Sequence, residues 1–237
     1  MNKVPLNQSY KTEKTFKDYP DIKIISDDYK KFCLEEAKWH KVGRWYDCSM
    51  SLYSVDFEDK TVCELGARDS IFSSYLTKLA KEVHVSDTFI GWGDLGSLPY
   101  WTDLWKKFAY KPERLFCEYQ DMKKLSYFDE SMDVVISFSA IEHIPGNGDI
   151  EAAKEMARVC KPGGTIIIGT DMSRSFCWQG GGYFYDEKNL FKRLIYPTKC
   201  TLIGPYDFNV ETANKAEIYG IEYCSAIFLL RKPERNS

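Results

Sequence analysis

Residues 61–70, TVCELGARDS, constrain the fold more than any other stretch. A short apolar run, Thr61–Cys63, meets an acid, Glu64, then Leu65 and Gly66, after which the apolar spacing turns helical. A strand, a tight glycine turn and a helix start thus follow one another. In an open α/β sheet, such a turn sets a nucleotide-like ligand against strand ends and a helix N-terminus.

The flanking sequence repeats the same alternation. Before the turn, residues 1–26 are polar and read as a surface arm. Residues 27–237 form the domain. The stretch from Asp27 to Asp47 has aromatic residues at helical spacing, including Tyr29, Phe32 and Trp39. Trp39 and Trp45 suit packing on the core edge, or a lid over a pocket.

After the turn, Ile71, Phe72, Tyr75, Leu76 and Leu79 mark one helix face, with Asp69 or Ser70 placed to cap it. Strands are expected at Val83–Asp87, Arg114–Cys117, Met132–Ser137 and Thr165–Gly169, with later ones at Cys200–Ile203 and Glu222–Leu230. Helices are expected at Trp101–Tyr110, Asp149–Cys160 and Asp186–Ile195. The order implies a Rossmann-like, doubly wound, seven-stranded, mostly parallel α/β sheet with an antiparallel last strand. Residues 88–113 and 172–186 interrupt the alternation, and read as cap or substrate-covering insertions.

Charge and cysteine usage exclude several functions. A formal net charge of −3 provides no basic field for nucleic acid. The eight cysteines include no CxxC pair, which speaks against a zinc knuckle, and no metal site is expected. Free buried thiols fit a cytoplasmic protein. No apolar run is long enough to span a bilayer.

The turn itself chooses between ligands. A dinucleotide loop needs the glycines of GxGxxG so that backbone can approach a pyrophosphate. Counting from Gly66, the second and third glycine positions hold Arg68 and Ile71. A nicotinamide oxidoreductase is therefore disfavoured, and a phosphate-free cofactor fits better. Glu64–Ser70 resembles the first motif of class I S-adenosylmethionine (SAM)-dependent methyltransferases, an acid followed by alternating glycines, of which only Gly66 is kept here. Asp87 stands at a strand end about twenty residues on, where an acid receives a ribose diol. Gln120-Asp121 follows the third strand, SAIEHI the fourth, and KPGG precedes the fifth, in the order of that family.

The resemblance implies SAM as cofactor, with S-adenosylhomocysteine as product. It assigns the cofactor to Glu64, Gly66, Ala67 and Arg68 in the turn, and to Asp87 and Thr88 at the second strand end. Gln120, Asp121 and Met122 would meet the adenine side, and Ser137 the fourth strand end. Arg68 either points outward or grips a carboxylate or phosphate.

Methyl transfer to a hydroxyl needs a base. His143, just past the fourth strand, is the candidate, with loop orientation or substrate contact as its other reading. Glu142, Asp171, Tyr183 and Tyr185 are candidate substrate contacts. His84, between valines, reads as structural, His40 has no evident partner, and Asp133 reads as orienting the sheet edge. The expected reaction is methyl transfer to a hydroxyl of a sugar, a surface-glycan precursor in polysaccharide biosynthesis, or a related small metabolite. Alternatives are a small-molecule N-methyltransferase, and a catalytically silent binding subunit in which Arg68 and Ser70 have replaced glycines. The expected partner is a small-molecule or saccharide acceptor, and a homo-oligomer is compatible with the sequence.

Overall fold

The computed structural model describes residues 7–36, 44–90 and 97–235. Trp39, His40 and Trp92 lie outside them. The strands are β1 (Asn7–Ser9), β2 (Thr61–Leu65), β3 (Glu82–Asp87), β4 (Leu115–Tyr119), β5 (Met132–Phe138), β6 (Cys160–Ser173), β7 (Cys177–Gln179), β8 (Gly182–Phe184), β9 (Thr201–Leu202), β10 (Tyr206–Asp207), β11 (Ala216–Ile218) and β12 (Ile221–Arg231). The helices are α1 (Thr12–Asp18), α2 (Pro20–Lys31), α3 (Trp45–Ser54), α4 (Phe72–Leu76), α5 (Leu98–Phe108), α6 (Gly148–Val159) and α7 (Glu187–Leu190).

The centre of the main sheet runs β4-β3-β2-β5-β6, all parallel, and β12 joins β6 antiparallel. The sequences explain the placement. Residues 133–138 (DVVISF) and 165–169 (TIIIG) lack period-two alternation because strands in the middle of such a sheet are covered on both faces. Val134, Val135, Ile136, Ile166, Ile167 and Ile168 are all buried.

From β2 the chain winds one way through α4 to β3, and from β5 the other way through α6 to β6. The winding therefore reverses between β2 and β5, which is where a crevice opens at the strand ends. Among the described residues, ten strands join this sheet, against the seven expected. The additional members have two or three residues, too few for periodicity to register.

The beginning of the chain departs from expectation. Residues 7–26 belong to the folded body, and the helix expected from Asp27 starts at Pro20. β1 pairs with β12 and β10. Asn7 secures it from the side: its Nδ2 donates to the carbonyls of Ile203 and Pro205, and its Oδ1 accepts from Leu229 N at 2.6 Å.

The 88–113 interruption contains α5, opened by a Ser97 cap and Pro99. Trp101 and Trp105, one helical turn apart, are buried against α4 and Phe89. Truncating such a side chain to alanine costs about 3–5 kcal/mol. Trp105 Nε1 also donates to the carbonyl of Ser70 at 2.9 Å, so the insertion braces the glycine turn.

KPGG lies within β6 as a tight irregularity opposite Asp133. A Cβ on Gly164 would lie 2.8 Å from Lys161 O and 2.9 Å from Asp133 O, which excludes any other residue there. The Asp133 carboxylate takes Thr61 N and Lys161 Nζ, tying β2 to β6.

Candidate active site

The turn after β2 is built with one of the three motif glycines. Gly66 sits at φ +72°, and an added Cβ would be 2.4 Å from the Cβ of Ala140 beyond β5. Arg68, in the second glycine position, also takes a left-handed conformation, with φ +28°. Ala67 N donates to Ser86 O at 2.9 Å, fastening the turn to β3. A cleft of about 420 Å³ opens there, between the β2 turn and the segment after β5. That volume lies within the range of small-molecule sites.

Several of the expected cofactor residues meet in this cleft. Gly66, Ala67 and Arg68 form one wall, Asp87 and Thr88 the second, and Gln120, Asp121 and Met122 the third. Burial raises the Asp87 carboxyl pKa, opposed by backbone N–H donors, including Phe89 N at 2.7 Å. Gln120 is held by Ser126, which donates its N–H to Oε1 and accepts from Nε2. The Arg68 guanidinium lies 5.9 Å from the Trp101 ring centre, and burial lowers its pKa.

Glu64 and Ser137 do not line the cleft. The Glu64 carboxylate is buried and accepts from Ser73 N at 3.0 Å and Ser73 Oγ at 2.6 Å, so it serves the first turn of α4. Ser137 is buried, 3.8 Å from Met122 Sδ, and supports the floor.

His143 lines the opposite side, next to Ser139 and Ala140. Its Nδ1 donates to the carbonyl of Gly181 at 2.8 Å, at the tip of the β7–β8 hairpin. Tyr183 and Tyr185 stay outside the cleft wall. Their hydroxyls donate to Gly146 O and Asp149 Oδ2, fixing the hairpin against the 146–149 segment. Glu142 and Asp171 lie behind the wall, both against Nη2 of Arg44. His84 bridges Glu82 and Glu118 on the far side of the sheet, stacked on Phe116.

The N-terminal helices contribute a wall that the motifs do not announce: Tyr29, Arg44, Trp45 and Cys48. Trp45 lines the cleft and packs on Phe16 and Tyr46, with Lys30 3.6 Å above its ring. Its aromatic spacing was a signal, but it does not distinguish a wall from a core.

Residues 98–168 match the family model described as a methyltransferase domain. That segment matches the methyltransferase family, and the fold around it is the class I SAM-dependent methyltransferase fold. Solved structures agree on the fold. The methyltransferase is similar to the (4+2)-cyclase SpnF, with 11% identity over 99% of this chain and 100% of that one, and a TM-score of 0.63. It is also similar to a SAM-dependent methyltransferase from Aquifex aeolicus, with 14% identity, 89% and 98% coverage and a TM-score of 0.53. The YcgJ protein from Bacillus subtilis matches at 11% identity, 80% and 99% coverage and a TM-score of 0.58.

SAM is accordingly the cofactor of the methyltransferase, and the cleft suits it. Gly66 leaves the backbone bare at the turn, and Asp87 and Gln120 present polar groups. No pyrophosphate cradle is needed. Among the described residues, no His, Cys, Asp or Glu group could hold a metal ion, and no helix is long and apolar enough to cross a membrane.

Proposed function

We propose that the methyltransferase methylates a hydroxyl of a sugar, a surface-glycan precursor or a related small metabolite, with His143 as general base. The observation carrying this reading is the His143–Gly181 hydrogen bond. A carbonyl only accepts, so in the neutral ring the proton resides on Nδ1 and Nε2 keeps its lone pair for an acceptor hydroxyl. When bound, SAM supplies a methyl group on a positively charged sulfur. The chain's part is to hold the acceptor oxygen in line, remove its proton at Nε2 and exclude water. In this reading Asp87, Gln120 and the Gly66 turn hold the cofactor, while the β7–β8 hairpin acts through His143.

Assays with labelled SAM and sugar acceptors, read by transfer of label to a hydroxyl, test the proposal. Label appearing only on amines would replace it with N-methylation. A second reading, binding without transfer, draws support from Arg68 and Ser70 in glycine positions. Failure of SAM and S-adenosylhomocysteine to bind at millimolar concentration would remove the enzymatic reading altogether.

A further inference from the structure

Three glycines in a row, Gly180–Gly182, stand beside His143. Gly180 and Gly181 make the two-residue turn between β7 and β8, where Gln179 pairs with Gly182. Their φ values, +59° and +87°, account for glycine at these two positions. Gly182 lies outside the left-handed region and is bare for another reason. A Cβ there would lie 3.1 Å from Nδ1 and Cε1 of the His143 ring.

A second ring rests on the same turn. A Cβ on Gly180 would lie 1.9 Å from Tyr219 Cε2 and 2.3 Å from its Cδ2, so the tyrosine packs directly on the Gly180 backbone. The hairpin tip is thus touched by Tyr219 at Gly180 and by His143 at Gly181 and Gly182.

Tyr219 comes from the tip of another hairpin. Ile218 pairs with Ile221 across the two-residue turn Tyr219-Gly220 that joins β11 to β12. Both turn residues have positive φ, +52° and +75°. Asparagine, aspartate or glycine ordinarily fills the first position of such a turn, and a bulky aromatic residue is strained there. Core packing does not account for the tyrosine, which is 63% exposed. Its contact with Gly180 does. The two hairpins also meet away from their tips. Phe184 of β8 packs edge-on against Tyr223 of β12, and Arg174, ahead of β7, pairs with Glu222 at 3.1 Å. That exposed ion pair contributes little. The tip contact is the one that bears on the turn holding His143.

We infer that Tyr219 is a positioning residue for His143. Its ring keeps the β7–β8 tip in place, the Gly181 carbonyl stays on Nδ1, and Nε2 stays free of the proton in the neutral ring. Without a fixed partner on Nδ1, that proton is shared between the two nitrogens. This rests on the reading of His143 as general base, and extends the site to a hairpin that does not line the cleft.

Heteronuclear NMR of the nitrogen-labelled histidine rings at alkaline pH tests it, because it reads the tautomer without substrate or cofactor. The chain has three histidines, and comparison with His143→Ala identifies the signal. Wild type should show the proton on Nδ1. Tyr219→Asn suits the turn but lacks the ring, and should move a measurable share of the proton to Nε2. Tyr219→Gly is a second ringless variant should the first fail to fold. In either, kcat should fall about three- to tenfold with the KM for SAM unchanged, the scale of a slightly misplaced reacting group. Tyr219→Phe, which keeps the ring, should restore the tautomer and the rate. An unchanged tautomer in a folded ringless variant would overturn the inference, and so would a Tyr219→Phe protein that behaves like Tyr219→Asn. A shifted tautomer with full turnover would uphold the positioning by Tyr219 and remove His143 as the base.

Discussion

His143 Nδ1 lies 2.8 Å from the carbonyl oxygen of Gly181, so a hairpin distant in sequence sets the tautomer of the candidate base. If Nε2 takes the acceptor proton, His143→Ala should lower kcat by about 10²–10⁴-fold. SAM affinity should be preserved, since the proposed cofactor contacts lie on other walls. Steady-state kinetics with calorimetry separate the two effects, and near-normal turnover would remove His143 as the base.

The same hairpin allows a gentler perturbation. A Cβ on Gly182 would lie 3.1 Å from both Cε1 and Nδ1 of the His143 ring. Gly182→Ala should push the ring off its bond with Gly181 and reduce kcat by roughly tenfold, because small misplacements of a reacting group are costly. The KM for SAM should hold. Full turnover in this variant would show that the hairpin does not position the ring.

Asp87 is the acid closest in role to a ribose contact. Asp87→Ala should weaken SAM binding by more than about tenfold, the scale of losing charge-assisted hydrogen bonds. Asp87→Asn should fall between, since the amide oxygen can still accept from Phe89 N. Unchanged affinity by calorimetry would move the cofactor elsewhere.

Gly66→Ala meets two obstacles, a left-handed φ of +72° and the Ala140 methyl 2.4 Å away. The expected cost is about 1–3 kcal/mol, read as a lower Tm or denaturation midpoint. Adding Ala140→Gly should recover the steric part and leave the backbone part. A double variant no more stable than Gly66→Ala would argue that backbone strain accounts for the whole loss.

Burial raises the Asp47 carboxyl from its ordinary 3.8 to about 6, against the attraction of Arg44. The folded state therefore holds this proton more tightly than the unfolded chain. The associated stability, about 3 kcal/mol, is fully present below pH 3.8 and is lost as pH rises through 6. Urea titrations of the wild type and Asp47→Asn should show the wild type's relative advantage shrinking across that window. A difference independent of pH would contradict the raised carboxyl.

The sequence was legible where one residue type has one use. Gly66, Asp87 and Gln120 belong to strand ends, and strand ends follow from apolar runs. Glu64 shows the limit. It occupies an acidic motif position, yet its side chain turns to the amide of Ser73, and only three-dimensional direction reveals that. Arg44 stayed hidden, and Trp45 was open between core packing and a lid, for a different reason. They reach the cleft from a helix whose amphipathic pattern reports burial but not what lies on the other side. The β7–β8 hairpin escaped because strands of three residues leave no period. Asp171, expected just past a strand ending at Gly169, lies inside the longer β6, and its partner Arg44 lies 127 positions earlier, beyond any local signal.

β1 has a consequence for how the protein is made. Asn7 and Leu229, bonded in the finished sheet, are 222 positions apart. Residues 7–9 leave the ribosome ahead of the other described strands and wait until β10 and β12 have been synthesised. The parallel strands β2 to β6 can assemble in the meantime, whereas this border of the sheet is sewn only after β12 has emerged. Slowing synthesis between β6 and β12 should therefore prolong the exposure of β1 to proteases and chaperones without delaying formation of the cleft's central strands.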